Sequence, residues 1–207
     1  MLCLLLFVAM PLLAQEAGFT ALSKTPYFGC ATCHGWEAQG SPAHQAPSIA
    51  GLDVDYLLTQ MNAYATGQRG SHSQDHYGAQ MALIARAYPE SMRQQLAKLI
   101  AALPPVDEIE GNAVKGDIER GKKLYATCTA CHGSAAEGNA KLRAPALNRF
   151  SQTYLQHQLN NYKNGIRGGS GSSADDQAMR ALVQSISPKT TQIEDIVAHI
   201  ASISREK

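Results

Sequence analysis

Three features of the sequence predict an all-α fold of two tandem domains. First, one pattern occurs twice, 98 positions apart, as Cys30-Ala31-Thr32-Cys33-His34-Gly35 and Cys128-Thr129-Ala130-Cys131-His132-Gly133. Second, apolar residues recur at helical spacing near the end of each copy, at Leu96, Leu99, Ile100 and Leu103, then at Ile193, Ile196, Val197, Ile200 and Ile203. Third, Pro and Gly punctuate these stretches, with Pro104-Pro105 between the copies. A pattern carried over at this distance is a duplicated unit, and 207 residues give each copy roughly 90.

The repeated motif has the spacing of a c-type haem attachment site, C-x-x-C-H. Two thiols one helical turn apart can each form a thioether with a haem vinyl group. The neighbouring His then presents an imidazole to the iron. A zinc half-site or a thioredoxin-like pair would use the same cysteines. Repetition of the whole motif favours two covalently bound haem c groups. They are attached at Cys30, Cys33, Cys128 and Cys131, with His34 and His132 as iron ligands. Of the five Cys, only Cys3 is left over, so none remains for a disulfide, a zinc site or a nucleophile. Domains this small bury modest cores, and a covalent haem adds apolar contact area.

Charge excludes one function class. The formal net charge is +1, which gives no basic field for nucleic acid. Four haem propionates would take it to about −3 with ferrous iron, a weakly acidic surface. Met1 to Ala14 is apolar and uncharged, the composition of a signal-peptide core, with cleavage expected near 14–17. No Lys or Arg precedes it, and Leu12 stands where cleavage after Ala14 would want a small residue. Residues 1–17 are therefore read as a leader directing export to the periplasm, where c-type haem is attached. The run is short for a bilayer span, but a retained leader would serve as an anchor, which leaves peripheral membrane association open.

Residues 18–103 form the first expected domain. Phe19 to Thr25 suit a short helix that Pro26 ends. Asp55 to Tyr64 suit a second, ended by Gly67-Gln68-Arg69-Gly70. A polar loop is expected up to Gln80, with Met81 following. A last helix opens at Pro89 and Ser91, where Ser91 and Gln94 have capping-box spacing. Residues 104–116 read as a linker, stiff at its Pro-Pro start. Residues 117–207 repeat the plan: a helix over Ile118 to Thr127, another over Thr153 to Tyr162, and a turn at Gly165-Ile166-Arg167-Gly168. A Gly/Ser loop runs to Asp176, Met179 follows, and a last helix is capped by Thr191 and Glu194.

The register of the duplication points to further site residues. At a constant offset of 98, Tyr27 matches Tyr125, Pro47 Pro145, Tyr56 Tyr154, Gln60 Gln158, Tyr64 Tyr162, Arg69 Arg167 and Met81 Met179. Only the last helix slips, by one residue. Met81 and Met179 each lie 47 residues after their His. A thioether is a soft, neutral ligand that suits low-spin haem iron and raises its potential. Both are therefore the expected second iron ligands. The alternative is two core methionines, which is how Met61 reads, since its partner is Leu159; Met92 has no Met partner. His72 and His76 would allow bis-His ligation in the first copy, but the second has Ser170 and Ala174 there. His44, His157 and His199 lack His partners and read as solvated or packed.

Pro47 and Pro145 each follow their His by 13 positions. Their carbonyls could accept the second ring N–H of a ligating His; the plain alternative is a loop proline. Arg69 and Arg167 could bond haem propionates, against an alternative of surface turn charges. The paired tyrosines read as packing around haem rather than redox relays.

Together, the two C-x-x-C-H-G motifs, the Pro-x-Ile/Leu segments, the Tyr-Leu-x-x-Gln helices, the Gly-x-Arg-Gly turns and the late methionines resemble dihaem class I cytochromes c of the cytochrome c4 type. The resemblance implies two tandem cytochrome c-like domains, each built around one covalently bound haem. It implies a pseudo-two-fold arrangement, His/Met ligation and approaching propionate edges. It also implies a periplasmic electron carrier, often membrane-associated, that feeds a terminal oxidase. One departure is Pro26 and Ser23 in the first copy against Leu124 and Gly121 in the second, which shortens the first N-terminal helix. The expected function is non-enzymatic transfer of single electrons between respiratory complexes. The donor would be a quinol-oxidising complex or a dehydrogenase, and the acceptor a terminal oxidase. The alternatives are the cytochrome subunit of a dehydrogenase complex, and a dihaem enzyme such as a peroxidase or a thiosulfate-oxidising cytochrome. A peroxidase needs an open distal site, against which two matched Met residues argue.

Overall fold

The computed structural model describes residues 25–106, 113–186 and 189–204. The leader, the expected helix from Phe19 up to residue 24, and linker residues 107–112 lie outside the described residues. Among the described residues the first repeat contains α1 (Phe28–His34), α2 (Val54–Thr66), α3 (His76–Ala87) and α4 (Glu90–Ala101). The second contains α5 (Ile118–Tyr125), α6 (Thr129–His132), α7 (Gln152–Lys163), α8 (Ala174–Ile186) and α9 (Thr190–Ser204). Short 3₁₀ turns lie between them, and two isolated bridges, Ser41 with Ala46 and Asn139 with Ala144, tie equivalent loops. None of the described helices is long and apolar enough to cross a membrane.

Local chemistry accounts for the boundaries. Asp53, Asp117 and Ser151 cap α2, α5 and α7 by accepting from the N–H of the residue three positions on, at 2.9, 2.9 and 3.2 Å. Gly67 ends α2 in the left-handed region, at φ 80°. Within each repeat, the last helix packs its apolar stripe against the long helix that follows the C-x-x-C-H segment, α2 in the first and α7 in the second. Leu96, Ala97 and Ile100 of α4 meet Tyr56 and Leu57, and Ile193, Ile196 and Ile200 of α9 meet Leu155.

Three expectations are corrected. The Ser91–Gln94 capping box does not form. Pro89 occupies the cap with no side-chain bond, and its carbonyl accepts from Met92 and Arg93 at 3.0 Å each, which puts Ser91 inside the first turn. Thr191 likewise lies inside α9, whose start is tied by Lys189 N–H to Gln192 Oε1 at 2.9 Å. Most consequentially, the polar stretches before Met81 and Met179 are loop only up to Asp75 and Ser173, and their later parts are the first turns of α3 and α8. Asp75 accepts from Gly78 N–H at 3.0 Å, and Ser173 from Asp176 N–H at 3.2 Å. Both methionines therefore sit on helices.

The repeats differ at their N-termini. In the second, α5 packs directly on α9. Gly121 allows this, because a Cβ there would run into the Asp195 carbonyl and the His199 side chain. Arg120 donates from Nε and Nη2 to Asp195, at 2.8 and 2.9 Å, and the Asp117 N–H adds a bond at 2.7 Å. The first repeat has Pro26 ahead of α1, and the hydroxyl of Tyr88, at the end of α3, donates to the Pro26 carbonyl at 3.0 Å.

Candidate functional site

Each C-x-x-C-H segment is held by a buried tyrosine three positions ahead of it. Tyr27 donates to the Gly35 carbonyl at 2.8 Å, and Tyr125 to the Gly133 carbonyl at 2.9 Å. Both rings are almost fully buried, so they pack and fasten the turn at once. Gly35 and Gly133 leave the turn at φ 76° and 78°, a conformation that strains any residue with a Cβ.

The fold brings the expected site residues together twice. Cys30, Cys33, His34, Pro47 and Met81 line one cavity of about 350 Å³. Cys128, Cys131, His132, Pro145 and Met179 line another of about 250 Å³. His72 and His76 are exposed and line neither; Met92 is half-buried and packs against the first core. His34 Nδ1 lies 2.9 Å from the Pro47 carbonyl, and His132 Nδ1 lies 3.0 Å from that of Pro145. A carbonyl can only accept, so Nδ1 carries the proton in both rings and Nε2 keeps its lone pair. Burial lowers the basicity of both imidazoles, and the carbonyl bond only partly offsets it. The four cysteines form no disulfide. Burial, then the neighbouring thiol, pushes Cys30 and Cys128 up to about 11, so both are neutral thiols at pH 7.

Each cavity is walled partly by the other repeat. Phe150, Tyr154 and Gln158 reach the first cavity, while Tyr56, Thr59 and Gln60 reach the second. Between them lies a square of two arginines and two glutamines. Arg69 donates from Nη1 to Gln60 Oε1 at 2.5 Å and from Nη2 to Gln158 Oε1 at 2.9 Å. Arg167 mirrors it, from Nη1 to Gln158 at 2.9 Å and from Nη2 to Gln60 at 3.1 Å. Each guanidinium stacks on a tyrosine of its own repeat, Arg69 at 4.3 Å over Tyr64 and Arg167 at 4.5 Å over Tyr162. Tyr77 meets His157 edge-on across the same seam, with centroids 5.5 Å apart. The reading of these arginines as surface turn charges is therefore wrong: they are 4% and 7% exposed.

The square is symmetric, but its surroundings are not. Asp176 accepts from Arg167 Nε at 3.1 Å and from the Tyr162 hydroxyl. Burial pushes this carboxyl up, but the Arg167 and Arg69 charges and its hydrogen bonds outweigh that and hold it below the ordinary carboxylate value. In the first repeat the same position is Gly78, and the buried Asp75 is turned to cap α3. Arg69 Nε is buried with no hydrogen-bond partner among the described residues.

The residues fit a covalent haem in each cavity. Unpaired thiols, an imidazole with its Nε2 lone pair available and an apolar lining in both cavities, and in the first an orphaned guanidinium N–H, are the groups a porphyrin with propionates would engage. Comparison with known proteins agrees. The cytochrome c family model matches residues 16–102 and again 118–204. The chain belongs to the cytochrome c family. It is an all-α protein of two tandem cytochrome c domains, and their cysteine pairs mean two covalently bound haem c groups. Cytochrome c4 of Azotobacter vinelandii is 28% identical over 195 residues, covering 90% of each chain. The thiosulfate dehydrogenase electron acceptor of Thiomonas intermedia is 31% identical over 152 residues, 68% of this chain and 65% of that one. The structure of Acidithiobacillus ferrooxidans cytochrome c4 shares the fold at TM-score 0.65 and 23% identity, covering 84% of this chain and 98% of that one. The chain is thus a cytochrome c4-like dihaem electron carrier.

The sequence reading missed the roles of Gln60, Gln158 and Asp176. The glutamines had a signal: both hold the repeat register, four positions before the stacking tyrosines and nine before the arginines. Asp176 had none, because its position matters only once α8 is known to begin before it.

Proposed function

We propose that this cytochrome c moves single electrons between respiratory partners in the periplasm, with His34 and Met81 holding one iron and His132 and Met179 the other. The observation that carries this reading is the twofold occurrence of one arrangement: a Pro carbonyl fixes the His tautomer, and a helical Met lines the same cavity. Haem iron supplies one-electron chemistry. The protein's part is to present a neutral imidazole Nε2 and a thioether sulfur, to keep water from the apolar wall, and to hold the two pockets against one seam. Pro47 and Pro145 orient the imidazoles and raise their donor strength. Cys30, Cys33, Cys128 and Cys131 form the thioethers.

Residues 1–17 supply export, and a retained leader would add peripheral membrane attachment. A quinol-oxidising complex or a dehydrogenase supplies electrons, and a terminal oxidase receives them. A second reading, acceptor for or subunit of a dehydrogenase complex, is favoured by the likeness to the Thiomonas electron acceptor. The test is the ferric spectrum of the purified protein. Sulfur ligation is expected to give a weak band at the far red end, reduced to about half in Met179→His. A band unchanged in that variant removes Met179 from the site.

A further inference from the structure

The mirror symmetry of the arginines' charge partners fails at Asp176, whose counterpart is Gly78. We propose that Asp176 is a positioning residue that makes the two haem pockets electrostatically unequal, by engaging Arg167 and leaving Arg69 as the guanidinium with an open donor. The inference rests on the two cavities being haem pockets.

Every nitrogen of the Arg167 guanidinium is engaged. Nη1 and Nη2 bond the two glutamines, Nε bonds Asp176, and Asp176 also lies 2.9 Å from Nη2. Arg69 makes the same two glutamine bonds, but its Nε faces no acceptor among the described residues. A buried N–H of a charged group without an acceptor is costly, and a carboxylate at the wall of the first cavity would satisfy it. Arg69 lines the first cavity, and Arg167 with Asp176 lines the second. The ligand class for Arg69 Nε is therefore a propionate of the first haem. The corresponding atom in the second pocket is already taken by a protein carboxylate.

Charge follows the same division. The first pocket faces a guanidinium whose charge no ion pair offsets among the described residues. The second faces a guanidinium and a carboxylate that nearly cancel. A negative charge beside iron favours the ferric state, and a positive charge favours the ferrous state. Asp176 thus biases a shared electron toward the first haem. Asp75 keeps its charge nearby but makes no ion pair with Arg69 among the described residues; its carboxylate accepts from the Gly78 N–H at the start of α3 instead.

The test is a redox titration of the intact dihaem protein. Haem methyl NMR signals, assigned to each domain by their contacts, follow the two centres separately. Asp176→Asn keeps the shape and removes the charge. It is expected to raise the second haem's midpoint relative to the first by at least a tenfold change in the electron-sharing constant, about 59 mV for one electron. Tyr162→Phe deletes a hydrogen bond to the same carboxylate while keeping its charge, and is expected to shift that constant far less. Arg69→Gln is expected to lower the first midpoint. Equal shifts of both haems in Asp176→Asn, no shift at all, or an equal shift in Tyr162→Phe would overturn the proposal. A protein lacking one covalent haem would instead contradict the haem reading itself, and shows as missing haem before any titration.

Discussion

The two repeats share a scaffold and differ in how it is closed. In the second, α5 lies on α9 through Gly121 and the Arg120–Asp195 contact, and the pocket's arginine is paired with Asp176. In the first, Pro26 stands where the second has Leu124, and Arg69 has no such carboxylate. What both keep is the tyrosine that fastens the C-x-x-C-H turn, the Pro carbonyl on the His ring, and the Gln–Arg square. The contacts shared by both repeats touch the cofactor walls or the seam. The contacts that diverged set stability and charge around them.

The largest break of this comparison is covalent. Replacing Cys128 and Cys131 by Ala is expected to halve the haem that survives acid–acetone extraction, since each repeat attaches its own. Freely extracted haem, or full retention, would show that the motifs are not the attachment points.

Next is the square. Gln60 accepts from one arginine of each repeat, so Gln60→Ala leaves two buried N–H groups of charged side chains unpaired. A loss of about 3 kcal/mol is expected by denaturant unfolding. The double variant with Gln158→Ala should cost less than the two single losses combined, because the sites share partners. Strict additivity would mean that the two glutamines act separately.

Gly121→Ala sharpens the difference between repeats. A methyl facing the Asp195 carbonyl and His199 overpacks α5 against α9, and about 2 kcal/mol is expected. The loss should appear as faster amide exchange in α5 and α9, with α1 to α4 unaffected. Equal exchange in both repeats would show that the domains do not open separately.

The smallest effect is pH-dependent. Asp176 sits below the ordinary carboxylate range when folded, because its arginine and hydrogen-bond partners outweigh burial. Its stabilisation is therefore present above about pH 4, the unfolded value, and is lost as pH falls through the lower folded value. The gap in Tm between wild type and Asp176→Asn should be open at pH 7 and closed in acid. A gap constant with pH would mean that the carboxylate is not ionised in the folded protein.

Much of this was legible before the structure. The fold class and the contents of each cavity followed from a duplicated motif, because an unbroken register between the attachment site and Met81 or Met179 keeps the spacing of a pocket. The starts of α3 and α8 were not legible. Their first turns are polar or small, with Gly78 resembling a break, and their helicity comes from caps by Asp75 and Ser173 rather than from an apolar stripe. The Ser91 and Thr191 boxes failed for a related reason. Local spacing cannot tell a cap from a first turn when Pro89 or Gln192 offers another start. The seam was half visible. Gln60, Arg69 and their partners keep register, but only the tertiary fold shows that each arginine crosses to the other repeat.

The central claim is that one seam couples two cofactor pockets. It is tested most directly by a redox titration of the intact protein that follows each haem separately. Oxidising one haem places a positive charge near the other, so each midpoint should rise when its neighbour is ferric, and the titration should run in coupled macroscopic steps. Two independent one-electron curves, each indifferent to the state of the other haem, would contradict it.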